Sequence, residues 1–138
     1  MIEGITGLLV GVASIFLAKQ LSGERWMYAA CLVTLPAIYC LFALYAGDRA
    51  TGLKELMVGI PFLLGGLLFA FASLPTSGYV VGGLWLLHGM YDMTHELFFT
   101  NPGAPDWYPV FCASVDFVIG FYVLWLGIRL KKTDLRTT

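Results

Sequence analysis

WMYAACLVTLPAIYCLFALYA, residues 26–46, passes without a single charged side chain. The hydrocarbon core of a bilayer asks for about 20 predominantly apolar residues in one helix, and this stretch supplies them. In lipid, an open segment satisfies its own backbone only as a helix, so the stretch reads as a membrane-spanning helix.

Four further apolar runs flank it. Residues 2–21 precede it and close at Ser22-Gly23-Glu24-Arg25, and Gly47-Asp48-Arg49 closes the quoted stretch itself. Residues 53–73 follow, with Lys54 and Glu55 at the start and Pro75 beyond the end. Residues 78–100 are stopped by Asn101-Pro102-Gly103-Ala104-Pro105, and residues 108–130 run into a basic tail. Pro36 and Pro61 fall inside two of the runs, where proline kinks a helix. The expected fold is an all-α membrane protein, a bundle of about five transmembrane helices forming one domain over residues 1–138.

Composition agrees. The 138 residues are 59% hydrophobic and 12% charged, with a mean hydropathy of +0.80. A soluble domain carries about 25% charged residues to cover its surface, whereas a lipid-facing helix needs none. The net charge of -1 gives no electrostatic case for nucleic acid. Cys31, Cys40 and Cys112 all lie in apolar runs, in no Cys-x-x-Cys spacing and in odd number. They read as buried small hydrophobes. The first run follows Met-Ile-Glu-Gly, without a basic flank or a small-x-small cleavage site, and so reads as a retained helix.

With five spans, Lys19, Arg25, Arg129, Lys131, Lys132 and Arg136 fall on one side and Arg49 and Lys54 on the other. The positive-inside rule then puts the N-terminus outside and the C-terminus in the cytoplasm. Trp26, Trp107, Tyr108 and Trp125 come near the two interfaces. A multi-pass cell-membrane location follows, the inner membrane if the source is bacterial. In the first run Gly4, Gly7, Gly11, Ser14 and Ala18 make a small-residue stripe that admits a close helix partner. That partner is either another helix of this chain or a second copy, as in a homo-oligomer. Gly65, Gly66, Gly82, Gly83 and Gly89 suggest further close contacts.

The chemistry lies in the fourth run, in LHGMYDMTHE, residues 87–96, which holds both histidines. At about 100° per residue, Asp92 lies about 40° from His88 and His95 about 20° to the other side. His88, Asp92 and His95 line one face, with Glu96 on its flank. The fifth run brings Asp116 to the same depth as Asp92 on an antiparallel neighbour. An ionisable group near the bilayer centre costs about 2.5–3.5 kcal/mol even on the gentlest scale, so such a cluster invites a shared cation or proton. Imidazole with carboxylates suits zinc, iron or manganese. His88 and His95 stand about 10 Å apart along the axis, too far to share one ion. Asp92, His95, Glu96 and Asp116 are therefore the expected metal ligands, and His88 with Asp92 the expected acid–base pair. Glu55 reads as the solvated end of a span.

The His88-x3-Asp92-x2-His95 segment, followed by Ala113-Ser114-Val115-Asp116, resembles small bacterial membrane proteins grouped as a family of unknown function. His88 and Asp92 also resemble the H-x-x-x-D element of alkaline ceramidases, seven-span membrane hydrolases that bind zinc and carry a further paired-histidine motif. In kind, His88, Asp92 and Asp116 are similar to the groups of emopamil-binding sterol isomerases, which have five spans and use metal-free acid–base chemistry. The first resemblance brings no activity with it; the other two imply a membrane-embedded enzyme, metal-dependent in the ceramidase case, acting on a lipid-like or isoprenoid substrate. The alternatives are a metal-free acid–base isomerase, an ion or proton pathway, or an accessory membrane subunit.

Overall fold

The computed structural model describes the backbone of residues 1–24, 26–70 and 74–137, and their side chains except at 74, 75 and 132–137. Of the basic residues behind the expected orientation, Arg25 lies outside the described residues, and Lys132 and Arg136 outside the described side chains. The end of the third expected span, 71–73, also lies outside. The described elements are five helices: α1 (Ile2–Gln20), α2 (Met27–Tyr45), α3 (Arg49–Phe69), α4 (Leu74–Phe98) and α5 (Tyr108–Thr137).

Among the described residues, α1, α2, α3 and the Tyr108–Lys131 part of α5 are long and apolar enough to cross a membrane. The fourth helix, α4, has 25 residues, about 37 Å at 1.5 Å per residue, and carries most of the polar chemistry. The outer surface suits lipid, with Leu8, Phe16, Leu41, Leu68 and Phe121 among many exposed apolar side chains.

Two boundaries differ from the apolar runs because backbone hydrogen bonding, rather than hydropathy, starts a helix. Chain direction reverses after α2 at Gly47, whose φ of 79° is the left-handed region glycine tolerates. Asp48 then caps α3: its carboxylate accepts from the Thr51 amide at 3.0 Å and the Thr51 hydroxyl at 2.7 Å. Helix α3 thus begins at Arg49, and Lys54 and Glu55 lie within it. Helix α4 begins at Leu74, with Pro75 in its first turn, where a missing N–H costs nothing.

In the packing, α5 lies between α1 and α4, α2 pairs with α3, and smaller contacts join α4 to α3 and α2. Trp85 of α4 donates its indole N–H to the Tyr28 carbonyl of α2 at 3.0 Å. Small residues set the close approaches. A Cβ at Gly11 would lie 2.9 Å from that of Val118, and one at Gly7 would strike the Phe111 carbonyl, so α5 covers the α1 stripe. On α4, a Cβ at Gly82 would come within 2.8 Å of the Leu124 nitrogen, and one at Gly89 within 3.0 Å of the Asp116 Cβ. Close contact of α4 with α5 is what brings their polar faces together.

Candidate metal centre

Residues four apart on a helix stack on one face. Helix α4 presents His88 and Asp92 this way, and α5 answers with Cys112 and Asp116. Gly89, between the two α4 groups, lets the backbones approach without a side chain in the way. All four residues are buried, and one ligand atom from each lies within 4.8 Å of every other.

The imidazole Nδ1 of His88 is 2.7 Å from Asp116 Oδ2 and 3.4 Å from Asp92 Oδ2. Phe62 packs edge-on against its ring, with centroids 4.9 Å apart. Neither oxygen of Asp92 has a hydrogen-bond partner, and neither does Asp116 Oδ1. Buried carboxylate oxygens without a donor cost several kcal/mol unless a cation compensates. Four donors at about 2.0–2.3 Å from one tetrahedral ion lie about 3.3–3.8 Å apart. The set is therefore within about 1 Å of such a geometry at its widest pair.

A second buried polar group lies toward the C-terminal end of α4. Glu55 of α3 is 2% exposed. Its Oε1 pairs with His95 Nε2 at 2.8 Å and accepts from the Asn101 amide at 2.7 Å, while Oε2 accepts from the Tyr91 hydroxyl at 2.9 Å. Asn101 also donates to the Tyr39 carbonyl at 3.0 Å. The Tyr39 ring stacks on His95, with centroids 4.7 Å apart and 14° between planes. Its hydroxyl has no hydrogen-bond partner, yet it interacts electrostatically with Asp92. Tyr39 thus stands between the two groups.

Three cavities adjoin these groups. One of about 10 Å³, enough for a single water, is lined by Tyr39, Glu55, Val58, Phe62, His88 and Tyr91. Val58, Phe62 and Tyr91 also wall an open apolar groove of about 550 Å³, with Leu87, Met90 and Phe117 on its other sides. The third, about 340 Å³, is lined by Asp92, Glu96 and Asp106.

No family model matches the chain, and no curated protein or solved structure does. Its chemistry rests on its own residues.

Of the expected ligands, Asp92 and Asp116 come together, and His88 joins them. His95 sits on Glu55 instead, and Glu96 is exposed at the rim of the third cavity. Two residues carry more than their sequence reading gave them. Cys112 belongs to the cluster, and its spacing of four from Asp116, mirroring His88 and Asp92, was the available signal. Glu55 lies buried at the centre of the second group rather than solvated at a helix end.

Proposed function

We propose that the chain is a five-span membrane protein in which His88, Asp92, Cys112 and Asp116 bind one divalent transition-metal ion for chemistry on a lipid-like substrate. The single observation that carries this is the convergence of four buried donors, among which three carboxylate oxygens make no hydrogen bond. A cation would take one oxygen from each of the two carboxylates. Zinc or iron fits best, because a thiolate beside imidazole and carboxylate favours softer ions over manganese.

Access supports the lipid-like substrate. The 550 Å³ groove faces outward along α3 and α4 and is lined almost wholly by apolar side chains. Phe62, Tyr91 and Val58 line both this groove and the small cavity at His88. An apolar chain can lie in that groove with its reacting group against this wall. When bound, the ion would polarise a carbonyl or activate a water, with one of the four donors giving way to leave an open position. The H-x-x-x-D element at His88 and Asp92 fits the same reading. The excess of Lys19, Arg129 and Lys131 on one side over Arg49 and Lys54 on the other supports an N-terminus outside.

A second reading is a metal-free acid–base isomerase. The position of His88 Nδ1 between Asp116 and Asp92 favours it, since an imidazolium can itself be the cation two carboxylates share. Elemental analysis of detergent-purified protein separates the two. We expect close to one metal ion per chain, lost in Asp92→Ala and Cys112→Ala but kept in His95→Ala. Absence of metal after incubation with zinc, iron and manganese would leave only the imidazolium reading.

A further inference from the structure

The metal centre proposed above is buried in a bundle whose outer surface is largely apolar, so a hydrated cation needs a polar way in. The 550 Å³ groove cannot serve, because its walls offer a cation nothing to replace its water. The 10 Å³ cavity touches His88 but is no larger than one water. The 340 Å³ cavity differs from both. It is bounded by Glu96 near the end of α4, Asp106 of the α4–α5 connection and Pro109 in the first turn of α5. Glu96 and Asp106 are exposed. Asp92 also lines it, with a side chain 0% exposed and two oxygens that make no hydrogen bond.

We propose that this cavity is the vestibule of the metal centre, a capture site for a divalent cation at Glu96 and Asp106 from which the ion passes to Asp92. The inference rests on the metal-centre reading and adds a route to it. Glu96 follows Asp92 by one turn, about 6 Å along the axis, so the two carboxylates stand in sequence along one helix. Asp106 faces them from the connection. Two like charges at a mouth between low-dielectric walls focus the local field and concentrate cations there. They also share an incoming ion's charge while it sheds water, which is the costly step of entering a buried site. No residue between rim and ligand is basic: Met93, Thr94 and Leu97 complete the α4 wall, and Val110 the α5 wall.

The test is the rate at which chelator-stripped protein in detergent takes up Zn²⁺, compared with the double variant Glu96→Gln/Asp106→Asn. At low ionic strength we expect uptake about tenfold slower in the variant, within the range that local charge steers association, with the same final Zn²⁺ per chain. The difference should shrink in high salt, where charges more than a few ångströms apart are screened. The salt dependence of wild-type uptake alone is a second measure and needs no variant. Equal uptake rates, or wild-type uptake indifferent to salt, would overturn the vestibule while leaving the centre standing. A variant that binds less Zn²⁺ at saturation would make Glu96 or Asp106 a ligand instead and also overturn it. If the wild-type chain takes up no Zn²⁺, the metal-centre reading itself falls, and the vestibule with it.

Discussion

Gly89 is where packing and the proposed chemistry meet, and Gly89→Ala tests both. A Cβ there would lie 3.0 Å from the Asp116 Cβ, 3.2 Å from Phe117 Cε1 and 3.3 Å from the Ala113 carbonyl. Contacts that short force α5 to retreat by a few tenths of an ångström. The proposed binding requires the ligand atoms to settle about 3.3–3.8 Å apart, from separations that run from 2.7 Å to as much as 4.8 Å. The substitution shifts α5 against α4 and so disturbs that spacing. Metal–ligand distances tolerate only about 0.2 Å, and disturbing the groups that hold ligands costs about 10–100-fold in affinity. We expect a loss of that order.

Stability supplies the control. Replacing a helical glycine by alanine gains about 1 kcal/mol when nothing is in the way, and overpacking costs about 1–3 kcal/mol. Nothing lies within 4 Å of a Cβ at Gly83, about 1.7 turns away on the same helix. Gly83→Ala should raise the thermal midpoint and leave affinity alone, while Gly89→Ala should hold or lower the midpoint and weaken binding. Chelator competition with Zn²⁺, beside thermal unfolding in detergent, reads both. Equal affinity in the two variants would show that the α4–α5 spacing at Asp116 does not set the centre, and would refute the reasoning.

Two further outcomes follow from the second polar group and from the α3 cap. Glu55→Ala should cost about 3–5 kcal/mol, the usual penalty for breaking a buried pair, because His95, Asn101 and Tyr91 all lose their acceptor. Unfolding in mixed detergent measures it, and Zn²⁺ stoichiometry should stay at the wild-type value. At Asp48, the Thr51 amide and hydroxyl hold the carboxyl below the ordinary aspartate range. The cap's contribution is thus full above that range and lost as pH falls through the lowered value. Protection of the Thr51 amide against hydrogen exchange, taken relative to its intrinsic rate at each pH, should fall in acid in the wild type, and Asp48→Asn should remove most of that pH dependence.

The helices were legible because scarcity of charge is a strong signal at every position of a long run. Their ends were less so, because hydropathy marks where an apolar face stops and not where hydrogen bonding starts. Lys54 and Glu55 looked like a polar mouth and Arg49 like the close of the preceding run, yet the Asp48 cap begins the helix before all three. The basic tail looked like a stop, yet α5 continues to Thr137. In the site, helical geometry correctly set His88 and Asp92 on one face opposite Asp116. It failed at His95, whose azimuth matches theirs but whose height along α4 differs by two turns. Across from His88 the neighbour is α5, whereas across from His95 it is Glu55 of α3. Which helix stands opposite is a property of the bundle, and no periodicity within α4 contains it.

The two polar groups that result are built from similar parts, and the difference between them bears most directly on function. Each pairs one histidine of α4 with a carboxylate of another helix, and each is buried to a similar degree. Around Glu55 both oxygens are engaged, by His95, Asn101 and Tyr91. That is how a buried network looks when its task is to fix the packing of α2, α3 and α4. Around Asp92 and Asp116, three oxygens have no hydrogen-bond partner although Cys112 and Tyr39 stand close by. Two such groups in one bundle make burial alone an insufficient explanation of the second, because the first shows the same fold satisfying a buried carboxylate fully. What the His88 group lacks is hydrogen-bond donors for those oxygens, and its four buried residues are close enough together that a single cation could serve in their place.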